Sequence, residues 1–220
     1  MATLKWLNSL LTAVRPLLET LYFLAAIALV PIAIKGLEQL KIAKETARTN
    51  AQREAFKLAA EECRNFALHV VPLVEALDNL VQNLKLTSFG NTKFRISKGE
   101  ISEHNFSVDR LKIEFPKCGH DLIAFLNALE AFSIFFASRI ADETVAYRET
   151  GETFLKIAAK YMPGIYLLRA LKSGRFESTV ELYELWDARM QSENLLRSKE
   201  SINTALESLK KEPLRPIGTE

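Results

Sequence analysis

Residues 17–34 read LLETLYFLAAIALVPIAI, eighteen positions with a single charge, Glu19, near the start. Coiled as an α-helix, such a stretch is roughly 27 Å long, close to the ~30 Å hydrocarbon core of a bilayer. Its strictly apolar part runs from Leu21 to Ile34 and contains Pro31. Leu17 and Leu18 lengthen it outward, and Glu19 and Lys35 can reach the headgroups from opposite ends. Pro31 falls in the last turn, where a missing N–H bends a helix rather than breaking it. The sequence thus predicts a membrane span from Leu17 to Ile34 that stays in place as an anchor. Two readings compete with it. Ala26 and Ala28 would suit a cleaved signal peptide, although the sixteen residues ahead of the apolar run are long for one. The third is a buried core helix.

Working outward, Leu4, Leu7, Leu11 and Val14 recur at helical spacing with Trp6 beside them. Residues 3–15 are read either as an amphipathic helix lying along the interface or as a plain helical lead-in. Before the span stand Lys5 and Arg15; after it come Lys35, Lys41, Lys44, Arg48 and Arg53. The larger basic cluster marks the cytoplasmic side, so the rest of the chain is expected in the cytoplasm.

The whole chain has 220 residues, a length that suits one domain plus an appendage. Its 29 basic and 27 acidic residues nearly cancel, which argues against a dedicated nucleic-acid binder. Residues 1–36 hold three of those bases (Lys5, Arg15, Lys35) and one acid (Glu19), so the remainder carries 26 of each sign. A neutral body has no long-range field to draw in an anionic polymer. Cys63 and Cys118 are too few for a disulfide scaffold and suit a reducing compartment.

The fold class expected is mainly α: a transmembrane helix, a long helical stalk, and a bundle-like body with a loop or small β-hairpin. Residues 37–86 contain no glycine, one proline (Pro72), and a majority of good helix formers. Acid-to-base pairs at i, i+3 (Glu38–Lys41, Glu45–Arg48, Glu54–Lys57, Glu61–Arg64) support an exposed helix. Over residues 37–57 the inward positions are mainly Ala43, Ala47, Ala51 and Ala55, which reads as a stalk. A dimeric coiled coil is possible there, but no leucine heptad supports it. From Leu58 the stripe grows heavier, through Phe66, Val70, Leu73, Leu77, Leu80 and Leu84, so a helical domain is placed at 58–212.

Within that domain, residues 87–120 are read as an irregular insertion because Gly90, Asn91, Gly99, Asn105, Pro116 and Gly119 are turn formers. Two alternating stretches, Phe94–Ile96 and Leu111–Phe115, are the candidate strands of a hairpin. Next comes a helix from Asp121 to Ile140, apolar along Leu122, Phe125, Leu126, Leu129, Phe132, Phe136 and Ile140. A helix over 152–171 is expected to kink or break at Met162-Pro163-Gly164. A last helix from about Glu177 to Lys211 turns Val180, Tyr183, Trp186 and Met190 inward, then Leu195, Ile202, Leu206 and Leu209. Residues 213–220 are expected to fray.

The segment from Asp121 to Met190 resembles a bacterial helical domain of unknown function that follows a single amino-terminal span and a long helix. The matching landmarks are Leu126-Asn127 with Glu130, the Ile140–Glu143 turn, Tyr161 and Pro163, Arg169, and Leu185-Trp186. The resemblance covers about a third of the chain and implies a bacterial inner-membrane protein. It implies no reaction, cofactor or catalytic residue.

Chemistry is sparse. The possible metal ligands are Cys63, His69, His104, Cys118 and His120. Cys63 and His69 would point in different directions on a helix, while Cys118 and His120 would form half a site for His104 to complete across the loop. Small buried thiols and loop histidines are the plainer account. No Gly-x-Ser-x-Gly elbow and no Walker or dinucleotide spacing occurs. Glu130 stands out as a carboxylate among aromatic residues, and burying it demands a partner. Arg169 is the expected partner, in an ion pair that fixes how two helices pack; Arg139 is the other candidate.

No cofactor, small-molecule substrate or nucleic acid is expected. The leading expectation is a non-enzymatic interaction or regulatory module on the cytoplasmic face of the membrane, with a protein partner or self-association through residues 87–120. The alternative is a membrane-acting effector, such as a toxin or defence component, whose amino-terminal segment oligomerises through Ala25, Ala26 and Ala28. The third is a metal-dependent enzyme built on residues 104–120.

Overall fold

The computed structural model describes residues 2–90 and 93–209, and for residues 2–12, 102, 103, 208 and 209 the backbone alone. The expected frayed tail at 213–220 lies outside the described residues, as do the side chains of Leu4, Leu7, Leu11 and Leu209. The protein is mainly helical with one small two-stranded sheet. It divides into two units, Met1–Arg53 and Glu54–Glu220, and the boundary falls inside the first helix.

Helix α1 spans Ala2–Asn65 and passes both Pro16 and Pro31 without a break. In the first unit the side chains of residues 17–34 are all exposed, Leu17 at 63% and Ile27 at 68%. The one charge in that stretch is neutralised locally, because Arg15 Nε meets Glu19 Oε1 at 3.0 Å. Thr20 donates its hydroxyl to the carbonyls of Pro16 and Leu17. Two helical stretches are long and apolar enough to cross a membrane, this one and the later helix over Val108–Ala137. They differ in what covers them. The apolar window of the first is entirely exposed, whereas 39% of the second is buried inside its own unit. Ala43, Ala47 and Ala51, expected to face inward, are exposed.

Within the second unit α1 acquires its first buried residues, at Ala59 and Cys63. A π-helical turn follows at Phe66–Val70, then helix α2 at Val71–Asn83, so the helical stretch read over residues 37–86 changes pitch here. Pro72 stands in the first turn of α2, directly after the π-helical turn, where the Val71 N–H still reaches back to the Phe66 carbonyl. The wider turn keeps Cys63, Phe66, Val70, Val74, Leu77 and Val81 on one buried face. Leu73 and Leu84, expected on that stripe, are 38% and 43% exposed.

The irregular segment is shorter than expected. Strands β1 (Phe94–Ser97) and β2 (Glu100–His104) pair antiparallel, with Ile96 opposite Ile101 and Phe94 opposite His104. The register shifts between Arg95 and Ile96. Helix α3 then runs Val108–Ala137 and takes in Leu111–Phe115, the stretch expected to be the second strand. Its start is fixed by Ser107, whose Oγ accepts the N–H of Arg110. Leu111, Glu114, Cys118 and Leu122 are buried at three- and four-residue spacing, a helical stripe that overrides Pro116 and Gly119.

Helix α4 (Glu143–Leu171) is capped by Asp142, whose carboxylate accepts the N–H groups of Thr144 and Val145. It does not break at Pro163; Met162, Pro163, Gly164 and Ile165 are all buried in its packing face. A Cβ at Gly164 would lie 2.8 Å from Leu122 Cδ2, so this glycine lets α3 approach α4 closely. Helix α5 spans Glu177–Leu209. Its first three turns bury Thr179, Val180, Leu182, Tyr183 and Trp186, and Met190 is half-buried. Beyond Glu193 every described side chain is exposed, including Leu195 (72%), Ile202 (59%) and Leu206, which corrects the expectation that these face inward.

The core of this unit is aromatic. Trp186 is fully buried, with the rings of Phe132, Phe136, Tyr147 and Phe154 between 5.0 and 6.4 Å away. Its indole N–H donates to Glu143 Oε1 at 2.6 Å, so the polar edge of the largest core residue is satisfied.

Candidate functional site

The hairpin is held by side chains reaching it from two helices. Lys98 and Gly99 form its turn with φ of 54° and 73°, the pair of positive angles that a two-residue type I′ connection requires. Glu184 on α5 accepts the N–H of Lys98 at 3.2 Å and that of Gly99 at 3.0 Å. Arg169 on α4 donates Nη2 to the Gly99 carbonyl at 3.0 Å. At the open end, Lys93 and Asn105 exchange two hydrogen bonds, Lys93 N–H to Asn105 Oδ1 (2.7 Å) and Asn105 N–H to Lys93 O (3.0 Å).

One face of the hairpin is half-buried. Phe94 lies 5.4 Å from Tyr183, and His104 stacks on Phe106 at 4.1 Å with Tyr166 edge-on at 4.6 Å. The His104 Nδ1 atom is buried and has no partner among the described residues. The opposite face, with Arg95, Ser97, Lys98 and Glu100, is exposed and polar. Two shallow clefts flank the strands, one of about 350 Å³ beside Lys93 and His104, the other of about 270 Å³ beside Tyr166 and Arg169. An isolated two-stranded hairpin is marginal in water, so its clamps and aromatic backing are what hold this one in a fixed shape.

The expected Glu130–Arg169 ion pair does not form. Glu130 on α3 accepts the N–H of Ser178 at 3.1 Å, the N–H of Thr179 at 2.8 Å and the Thr179 hydroxyl at 2.7 Å. Those two amides are in the first turn of α5. The residue in the capping position is Phe176, which has no side-chain acceptor and adopts φ 56°. A carboxylate from another helix therefore does the work of a missing cap, and it also meets the positive end of the helix dipole. Arg169 turns instead to the Gly99 carbonyl, with a longer contact of 3.5 Å to the Arg175 carbonyl. Arg139, the other candidate, sits in a left-handed turn after α3.

Glu114 repeats the pattern, unforeseen from sequence. Nearly buried on α3, it accepts the N–H groups of Thr87 and Ser88 and the Thr87 hydroxyl, fixing the loop after α2. Burial pushes its carboxyl up, but the hydrogen bonds from Ser88 and Thr87 outweigh it and hold the group below the usual carboxylate value. A short loop of Thr and Ser opposite a glutamate is the only signal, and it has no fixed spacing.

The candidate metal ligands do not converge. Cys118 and His120 lie on α3 with the thiol buried and the imidazole exposed, while His104 is enclosed by Phe106 and Tyr166. Cys63 is buried near the end of α1, and His69 is exposed in the π-helical turn. Burial, with the Asp121 and Glu114 charges adding to it, raises the Cys118 thiol to about 11, which keeps it protonated near neutrality. Among the described residues no three His, Cys, Asp or Glu side chains are grouped to hold a metal ion. A half-buried cluster joins Asp78, Tyr161 and Lys160: the Tyr161 hydroxyl donates to Asp78, and Lys160 Nζ lies 2.7 Å from the same oxygen. Burial and the Asp78 charge drive the Tyr161 phenol far up, so it acts as a donor and not as a base.

Comparison with known protein families, curated proteins and solved structures finds no match to this chain.

Proposed function

We propose that the chain is a single-span inner-membrane protein whose cytoplasmic helical body acts as a non-enzymatic interaction module. The observation that carries this reading is the contrast between the two long apolar stretches. None of residues 17–34 is buried, while α3 turns Leu122, Phe125, Leu126 and Leu129 into its own unit at zero exposure. Eighteen consecutive exposed residues of this composition would cost of order 20 kcal/mol in water at about 1–2 kcal/mol per large apolar side chain, and lipid removes that cost. The internal Arg15–Glu19 pair lowers the charge entering the bilayer.

The interaction surface we assign is the exposed face of the hairpin, with Arg95, Ser97, Lys98 and Glu100. It is polar, and it is pinned by Glu184 and Arg169 so that it meets a partner without an ordering cost. Alkaline carbonate extraction of membranes, followed by protease protection on sealed vesicles, tests the anchor and its orientation. Release of the full chain by carbonate would overturn the reading. Cross-linking that captures a partner through residues at 95–100, and loses it when α5 Glu184 is replaced, would support the hairpin surface.

A further inference from the structure

A groove of about 640 Å³ lies between α4 and α5, away from the hairpin, and its charged side chains follow one pattern on both walls. On α4 they are Arg148, Glu152 and Lys156; on α5 they are Arg189, Glu193 and Arg197. Each row reads base, acid, base at four-residue spacing, so each lies along one helix face. The acids are already engaged. Glu152 holds Lys156 at 2.6 Å, and Glu193 accepts from Arg189 Nε at 3.3 Å and from the Tyr147 hydroxyl at 3.1 Å. Arg189 is further fixed by Glu143 at 3.4 Å and by the Tyr147 ring, 4.1 Å beneath its guanidinium. Arg148 and Arg197 have no acidic partner within ion-pair distance among the described residues, and both border the same groove.

We propose that this groove binds a small anion bearing phosphate groups, with Arg148 and Arg197 as its principal ligands and Arg189 as a preset third donor. The guanidinium fork matches phosphate oxygens in pairs, and two unneutralised forks on one groove suit a dianion or pyrophosphate better than a single carboxylate. The volume lies within the small-molecule range and is too small for a folded partner. The body around it carries no net charge, so the attraction is local to these side chains and not a property of the whole surface. The phosphate source is either a soluble phosphorylated compound or a phospholipid headgroup. The assignment does not depend on the hairpin surface or on the membrane anchor.

The test uses the full-length chain in an uncharged detergent, titrated calorimetrically with inorganic pyrophosphate. We expect saturable one-to-one binding that weakens as salt rises. The R148Q/R197Q variant weakens it about tenfold or more, and R148K/R197K, which keeps the charge but not the fork, weakens it less. The variant K112Q/K117Q removes the same charge from exposed positions on α3 and leaves binding within about twofold. Unchanged thermal unfolding in all variants separates lost binding from lost folding. Displacement of pyrophosphate by monomeric dihexanoyl-phosphatidylglycerol assigns the headgroup as the source; failure of that lipid to compete assigns a soluble phosphate compound. The proposal is overturned if the wild type takes up no pyrophosphate at millimolar concentration, or if K112Q/K117Q loses as much affinity as R148Q/R197Q.

Discussion

The Glu130 carboxylate accepts the Thr179 amide at 2.8 Å and the Thr179 hydroxyl at 2.7 Å, joining the middle of α3 to the first turn of α5. Because Phe176 offers no cap of its own, the start of α5 depends on this contact. Glu130→Ala is expected to lower stability by about 1–2 kcal/mol, the usual range for a lost cap. Arg169→Ala removes a different contact, to Gly99, so the double variant is expected to be additive within about 0.5 kcal/mol. Denaturant unfolding of the four proteins in the cycle measures this. A coupling well beyond that margin would restore the ion pair and contradict the geometry.

Among the described residues, three side-chain hydrogen bonds fasten the turn at Lys98 and Gly99, two to Glu184 and one from Arg169. We expect Glu184→Ala to raise hydrogen exchange at the Lys98 and Gly99 amides while leaving exchange in α3 unchanged. Both amides are bonded to Glu184 on α5 and not to α3, so the opening is local. Exchange at both amides equal to that of the wild type would show that the clamp is idle.

The helices of the second unit were legible in sequence because burial and helical spacing coincide along them, as at Leu122, Phe125, Leu126, Leu129 and Phe132. The hairpin was half legible. Phe94–Ile96 is a strand, but its partner EISEH has only Ile101 on an apolar alternation, and the Lys-Gly turn that defines the pair places a lysine where Asn or Asp is usual. Leu111–Phe115 alternates convincingly and is helical, because Leu111, Glu114 and Cys118 continue the α3 stripe through Pro116. The Glu130 error has a different origin. A buried carboxylate signals that it needs donors, yet charge alone does not say whether an arginine or a row of backbone amides supplies them. Which amides are free depends on how α5 begins, a fact of tertiary structure.

Glu114 gives a pH dependence with a definite sign. Its carboxyl is held below the ordinary value in the folded protein, so the unfolded chain binds its proton first as pH falls. The stabilisation is present in full above the unfolded carboxylate value near 4.3 and is lost as pH drops through the lower, folded one. Glu114→Gln cannot titrate and presents an amide to two N–H donors. We expect the wild type to melt higher than this variant at pH 7, and the gap to close under acid. A gap that stays constant from pH 7 to pH 3 would rule out the carboxylate as the source.

Trp186 concentrates the core energetics in one side chain. It is fully buried among Phe132, Phe136, Tyr147 and Phe154, and its N–H meets Glu143 at 2.6 Å. Replacing it with alanine opens a cavity that these rings cannot fill without leaving their rotamers, and the expected loss is about 3–5 kcal/mol. Trp186→Phe separates the two contributions. Phenylalanine keeps much of the ring packing but strips Glu143 of its indole donor, leaving Arg189 at 3.4 Å as the charge partner. A loss of about 1–3 kcal/mol is expected from that change. Adding Glu143→Gln to Trp186→Phe should then cost less than Glu143→Gln alone, because the bond it would break is already gone. Chemical unfolding followed by far-ultraviolet circular dichroism reads all four proteins. If the two losses simply add, the indole and the carboxylate are not coupled, and Glu143 contributes nothing through the Trp186 N–H.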